Sequence, residues 1–284
     1  MDRRLLKATA RAAHVSLRGQ VVAERFVEGE FLRLVVPIAD LLRAPFGARD
    51  RQLVRGEGFT VIDRDQGHAF GFAEKDGYCG WLAEKALGFA PVPTHFVASS
   101  GTHAYADARV QSTECLLPAG ALLTVSGAVG PFAVTNLGHV PVCHLRPIGD
   151  WQDDPVAVAE MFLGTPYLWG GNSRAGIDCS GLVQRALLAC GVECPGDSDL
   201  QQVLGAEIAP KTPLQRGDLL FWRGHVALVV DAARLIHANG WTMSVACEDT
   251  EACIARVLAQ DGGPVLARRR VKGAISSKKS DRSF

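Results

Sequence analysis

At Asp150 the sequence changes character, so the residues before it and those after it are read separately. Before it, apolar residues come in short runs rich in β-branched and aromatic side chains, punctuated by glycine. Gly56-Glu57-Gly58-Phe59-Thr60-Val61-Ile62 leads to Phe70-Gly71-Phe72-Ala73 and then to Gly77-Tyr78-Cys79-Gly80-Trp81-Leu82. Such side chains suit a pleated, half-buried surface, and the glycines cut it into short strands, so the segment reads as a small β-barrel. A fainter copy comes next in 118–125, Phe132-Ala133-Val134 and Gly138-His139-Val140-Pro141, which makes two barrels in tandem. Pro91-Val92-Pro93 stands at the joint.

After Asp150 the period becomes helical. Asp153-Asp154-Pro155 offers a capping aspartate and a proline at the first helical position, and Gly164 a stop. Val156, Ala159, Met161, Phe162 and Leu163 supply the apolar side. A second helix is predicted over 179–190, where Leu182, Val183, Ala186, Leu187 and Cys190 recur at helical spacing before Gly191. Two strands, 218–230 and 235–238, come next. Helices followed by strands give an α+β domain. The expected division is an N-terminal segment and first barrel (1–90), a second barrel (94–148), a catalytic domain (150–267) and a basic, solvated tail (268–284).

Lysine plus arginine number 30 and aspartate plus glutamate 30, so the chain as a whole attracts neither nucleic acid nor an anionic membrane, and neither partner is expected. No run approaches the roughly 18 apolar residues that span a bilayer. The start, Met1-Asp2-Arg3-Arg4-Leu5-Leu6-Lys7-Ala8, has no continuous apolar stretch of the secretory kind, so a cytoplasmic location is expected. The eight cysteines read as small hydrophobes and one nucleophile in a reducing compartment. Cys190 with Cys194, and Cys247 with Cys253, lack the paired spacing and accompanying histidines of a zinc site, so no metal and no other cofactor is expected.

The chemistry is concentrated in Tyr167-Leu168-Trp169-Gly170-Gly171 and Gly176-Ile177-Asp178-Cys179-Ser180-Gly181-Leu182-Val183. Cys179 falls where the second helix begins, ahead of its apolar stripe. Free N–H groups at a helix start carry partial positive charge, so a thiol there is expected to have a lowered pKa. The same N–H groups can receive the oxyanion formed when sulfur adds to a carbonyl. Cys190, deep on the apolar face, should be inert. His225 opens a strand after Arg223-Gly224 and His237 lies in the next, suiting them as base and orienting group. Alternation puts His225 on one face with Ala227 and Val229, so His237 must pair opposite one of those two. A two-residue turn at Ala232-Ala233 would set it opposite Leu228, on the wrong face; an odd-numbered turn or a bulge is predicted instead.

Four ordered motifs carry a family resemblance: Tyr-x-Trp-Gly-Gly, Asp-Cys-Ser-Gly-Leu-Val, Arg216-Gly217-Asp218-Leu219-Leu220-Phe221 before His225, and Ile236-His237-Ala238. Together they resemble the NlpC/P60 peptidases over 150–260, and the two barrels resemble bacterial SH3 (SH3b) domains. The resemblance implies a papain-like catalytic domain behind two SH3b-like barrels, and a Cys179-His225-His237 triad cutting bacterial cell-wall peptides. It implies that Tyr167 helps hold the oxyanion or substrate. The arrangement is similar to γ-D-glutamyl-L-diamino acid endopeptidases of the dipeptidyl-peptidase VI type, which act on short murein peptides with a free N-terminal L-Ala. That likeness assigns the amine to Asp178, Ser180 and Ser198, with Tyr78 and Glu57 from the first barrel. Where the subgroup often has arginine before the aspartate of that loop, this chain has Gly196. An ammonium buried there needs carboxylate and hydroxyl partners. Asp178 also reads as a helix cap, and Glu57 as an exposed turn residue. The expected reaction belongs to murein-peptide recycling. The alternatives are an exported peptidoglycan endopeptidase, a Cys-His acyltransferase and a non-enzymatic peptide-binding protein.

Overall fold

The structure is a computed structural model and describes residues 1–260 and 262–271. The first sheet has seven strands, in the order Arg49–Val54, Ile38–Leu42, Cys79–Ala83, His68–Ala73, Gly58–Asp65, Glu30–Leu34 and Leu87–Gly88. Leu34, Leu41, Leu53, Phe59 and Leu82 fill its interior. Three of these strands are the apolar runs that the sequence marks out. Arg49–Val54, here β1, begins Arg-Asp-Arg-Gln and has no apolar alternation to betray it, yet its residues from Asp50 onward are buried. A second group of strands, five in one sheet and three in another, closes around Val97, Leu117, Leu123 and Val140.

In the C-terminal part, α1 (Pro155–Glu160) starts as its sequence dictates, with Asp154 accepting a hydrogen bond from Val156 N–H and proline in the first turn. The second helix, α2 (Cys179–Ala189), is capped by Asp178 and ends where Gly191 turns left-handed at φ 72°. A short α3 (Ser198–Gln201) comes after it. Then come β2 (Leu219–Trp222), β3 (His225–Val229), β4 (Arg234–Asn239), β5 (Ser244–Asp249), α4 (Thr250–Ala259) and β6 (Ala267–Arg270). The sheet order is Ala206–Glu207, β6, β2, β3, β4, β5.

The predicted strand over 218–230 is thus a hairpin. Trp222 pairs with His225 across Arg223-Gly224, and Gly224 has φ 70°, the left-handed backbone such a tight turn needs. The expected tail is also revised. Arg268, Arg269 and Arg270 pair with Leu220, Leu219 and Ala206, and Arg270 binds Asp218, so 268–270 belong to the sheet. The rest of that tail, from 272, lies outside the described residues.

The two faces of this sheet pack differently. Phe221, Val226, Leu228, Ile236 and Ala238 meet α1 and α2; Trp222, Ala227, Val229, Leu235 and Cys253 form the core under α4. Between β3 and β4, Val229 pairs with Leu235 and Val230 N–H donates to Arg234 O, leaving a three-residue turn, Asp231-Ala232-Ala233. Continuing that register sets His237 opposite Ala227. The odd-numbered turn demanded by parity is present. Among the described residues, no helix is long and apolar enough to cross a membrane.

Candidate active site

A cleft of about 370 Å³ runs between the first barrel and the C-terminal domain, with Cys179 in its wall. Helix α2 begins at the cleft because Asp178 caps it: one carboxylate oxygen accepts from Gly181 N–H at 2.6 Å. A Cβ on Gly181 would lie 2.5 Å from Gly171 O, so only glycine lets the helix start seat against the Gly170-Gly171 loop. Leu182 N–H is taken by the Asp178 carbonyl. The N–H groups of Cys179 and Ser180 are the first-turn donors with no acceptor inside the helix. Tyr167, tied to the domain by Tyr167 N–H donating to Met243 O at 2.9 Å, also lines the cleft.

The thiol points at the β2–β3 turn, 3.9 Å from the carbonyl oxygen of Gly224, the residue before His225. His225 Nε2 lies 2.8 Å from His237 Nδ1, which leaves Nδ1 of His225 as the other ring nitrogen. His237 is wholly buried. Its Nε2 lies 2.7 Å from Glu248 Oε2, and Arg256 Nη2 donates to that same oxygen at 2.5 Å. The sulfur therefore approaches the end of β3, next to the histidine pair, and not the middle of a sheet face.

Electrostatics reverses one expectation. Burial pushes the Cys179 thiol up to about 12, and the Asp178 carboxylate adds to the rise. Backbone N–H groups of Ser180 and Val226 pull the other way, and burial outweighs them. Burial, with His237 and Arg256 beside it, pushes His225 down to about 3. The resting pair is thus a neutral thiol and a neutral imidazole.

Residues 164–258 match the NlpC/P60 family, and residues 41–87 match the bacterial dipeptidyl-peptidase Sh3 domain. The chain carries an NlpC/P60 domain. It is 38% identical over 89 residues to dipeptidyl-peptidase 6 of Lysinibacillus sphaericus, covering 31% of this chain and 33% of that one. It is 34% identical over 122 residues to the γ-D-glutamyl-L-lysine dipeptidyl-peptidase of Bacillus subtilis, covering 40% of each. These matches span between a third and two-fifths of the relatives' length. A solved NlpC/P60 family protein from Bacillus cereus superposes with a TM-score of 0.71 over 85% of this chain and 99% of that one, at 20% identity, and so shares the fold.

The NlpC/P60 domain and the first barrel together place Tyr78, Tyr167, Asp178, Cys179, Ser180 and Ser198 around the cleft. Tyr78 O–H donates to Asp197 at 3.0 Å, and its ring lies over Gly196, where a Cβ would come within 2.8 Å. That explains why this chain has glycine in the loop. Glu57 is not brought to the cleft. It is buried, accepts from Lys75 at 2.8 Å, from Arg185 and from Val54 N–H, and lines a separate apolar cavity of about 280 Å³. The expected exposed turn residue is an internal ion-pair anchor.

Asp178 is not free either. Besides Gly181 N–H it accepts from Gly170 N–H at 2.8 Å, from Ser180 O–H at 3.0 Å and from Arg51 at 3.2 Å. Arg51 Nη1 also donates to Ser180 Oγ at 2.8 Å and pairs with Asp197 at 3.6 Å. Nearby, Arg4 pairs with Asp197 and Asp199, and Asp50 with Arg3 and Arg43. The residues that sequence reasoning missed are Arg51, Asp50, Asp197, Glu248 and Arg256. Their one sequence signal is charge inside strand-like or helical segments, as in Arg49-Asp50-Arg51 leading into Leu53-Val54.

Among the described residues, His237, Glu248 and Cys253 hold ligand-type atoms within 4.8 Å of one another. Arg256 Nη2 reaches both Glu248 and, at 3.7 Å, Cys253 Sγ. A guanidinium thus already provides positive charge beside these atoms.

Proposed function

We propose that this chain is a cysteine peptidase that hydrolyses the bond between the γ-carboxyl of D-Glu and an L-diamino acid in murein peptides with a free N-terminal L-Ala. The relatives named for that dipeptidyl-peptidase activity support the substrate class. The observation that carries the chemistry is Cys179 at the start of α2, against the turn that presents His225, with His237 2.8 Å behind it.

Neutral reactants make the first step a coupled one. The Cys179 proton passes to His225 Nδ1 as sulfur bonds to the carbonyl carbon, and the carbonyl π pair moves onto oxygen. The N–H groups of Cys179 and Ser180, with Tyr167, receive that oxyanion. Its collapse breaks the C–N bond, and the imidazolium proton leaves with the amine. Water, deprotonated by His225, then hydrolyses the thioester and releases L-Ala-γ-D-Glu. Asp197, Tyr78 and Ser198 form the ammonium end, in place of the Glu57 and Asp178 pairing expected from sequence. In this reading the enzyme works on recycled muropeptides in the cytoplasm.

A second reading, an endopeptidase acting on wall peptides whose amine is blocked, is favoured by one observation. Each carboxylate at that end already carries an arginine. Digestion of L-Ala-γ-D-Glu-diaminopimelate and its N-acetyl form, with mass spectrometry of the products, separates the two. The first reading expects cleavage of the free peptide alone, and loss of all cleavage in Cys179→Ala. Equal cleavage of both peptides selects the second, and cleavage by Cys179→Ala refutes the nucleophile.

A further inference from the structure

The reaction scheme leaves unused a carboxylate that controls which nitrogen of each histidine carries hydrogen. Glu248 on β5 pairs with Leu235 on β4, and His237 with Ala246. Alternation therefore puts Glu248 and His237 on one face as diagonal neighbours. The chain of contacts reads Glu248 Oε2 to His237 Nε2 at 2.7 Å, then His237 Nδ1 to His225 Nε2 at 2.8 Å.

An ionised carboxylate only accepts hydrogen bonds. His237 Nε2 must then carry the hydrogen, which makes its Nδ1 a bare lone pair. That lone pair can only accept, so His225 Nε2 carries the second hydrogen. Nδ1 of His225 is left as a lone pair with no hydrogen of its own. The polarity of the whole chain is set by the one member unable to donate.

Arg256, from α4, secures that member. Its Nη2 lies 2.5 Å from Glu248 Oε2. Burial favours the neutral acid, but Arg256 and His237 together hold the Glu248 carboxyl below the usual carboxylate range. The other groups around the histidine pair are Cys179 from α2, Cys253 from α4 and the uncharged ring of Trp222 from β2.

We propose that Glu248, kept ionised by Arg256, is a positioning residue that fixes the tautomers of His237 and His225 and leaves His225 Nδ1 bare to take the Cys179 proton. The proposal rests on the reading of His225 as base. When the thiol proton arrives at Nδ1, His225 becomes an imidazolium that still donates through Nε2. Glu248 need not accept a proton; its charge faces the new cation through one buried ring. Glutamine at this position would not hold the polarity. Its amide can donate to His237 Nε2, which puts the hydrogen on His237 Nδ1 and reverses the chain.

The test uses the full chain and two readouts. Long-range proton–nitrogen NMR of the wild-type imidazoles should show both histidines protonated at Nε2, and E248Q should populate His237 protonated at Nδ1. In peptide hydrolysis, E248Q should lower kcat roughly 10-fold or more with KM unchanged, because a reversed histidine tautomer cannot take the thiol proton; a wrong tautomer of a triad histidine can cost up to about 10⁴. Glu248→Asp, which keeps the acceptor-only charge, should restore most of the rate. A wild-type His237 protonated at Nδ1, or an E248Q enzyme with unaltered kcat, overturns the proposal. If E248Q is inert in this sense while Cys179→Ala and His225→Ala are dead, the positioning role fails and the peptidase reading stands. Activity in His225→Ala would instead remove the base on which both depend.

Discussion

The sulfur of Cys179 sits under two opposing influences. Helix α2 presents its positive end to it, while burial and the Asp178 carboxylate push the thiol up to about 12. Substitution separates them. Asp178→Asn keeps the oxygen that accepts from Gly181 N–H, and asparagine caps a helix about as well as aspartate. The charge is removed, together with the second oxygen, which accepts from Gly170 N–H and Arg51. Iodoacetamide should therefore alkylate Cys179 faster in D178N than in the wild type at the same pH. Well below the thiol pKa, each unit it falls raises the thiolate fraction about tenfold. An unchanged or slower rate would mean that Asp178 does not govern the thiol. The motif Asp-Cys-Ser-Gly-Leu-Val was enough to place this cysteine at the start of a helix. It was not enough to give its ionisation, because burial and Arg51 arise from distant chain.

At the scale of elements, the join between the first barrel and α2 is an ion pair that looks in the sequence like a surface turn. Glu57 comes after Gly56 in a segment of turn composition, and nothing local distinguishes it from a solvated acid. In the fold, Arg185 of α2 and Lys75 of the barrel converge on it. Burial opposes its charge, yet these two cations hold its carboxyl down to about 2. Removing one partner from such a buried network costs about 3–5 kcal/mol, so Glu57→Ala should lower stability by that order in chemical denaturation. The pH dependence has a definite sign. A depressed carboxyl contributes fully above its free value near 4.5 and loses that contribution as pH falls toward about 2. Wild-type stability should fall through that window, and the fall should be shallower in Glu57→Ala. An equally acid-sensitive variant would count against the anchor. The strands divide in the same way: Gly58–Asp65, His68–Ala73 and Cys79–Ala83 were legible from their apolar residues, whereas β1, with its buried charges, was not.

At the scale of the molecule, the cleft is made by two units that are far apart in sequence. The barrel contributes Asp50 and Tyr78, with Arg51 buried behind Asp178; the C-terminal domain contributes Cys179, Asp197 and Ser198; and the first residues of the chain bring Arg3 and Arg4. Arg4 lies 2.7 Å from Asp197, the acid that the proposed function gives to a substrate ammonium. Arg4→Ala should therefore lower KM for the free-amine peptide and leave the N-acetyl peptide uncleaved. An unchanged or raised KM for the free-amine peptide would show that Arg4 does not compete with an ammonium.

Local sequence determined the helix starts and stops, the separate β and α+β textures, the position of Cys179 and the parity that brings His225 and His237 to one face. These come from short-range rules of capping, periodicity and alternation, which act over a few residues. Tertiary structure alone decided which charges meet. Arg51 reaches Asp178 across 127 positions, Arg185 reaches Glu57 across 128, and Glu248 reaches His237 only through the pairing of β4 with β5. A charged side chain has no periodic signature of its own. Its partner is set by where the backbone carries it, and burial then makes that partner indispensable.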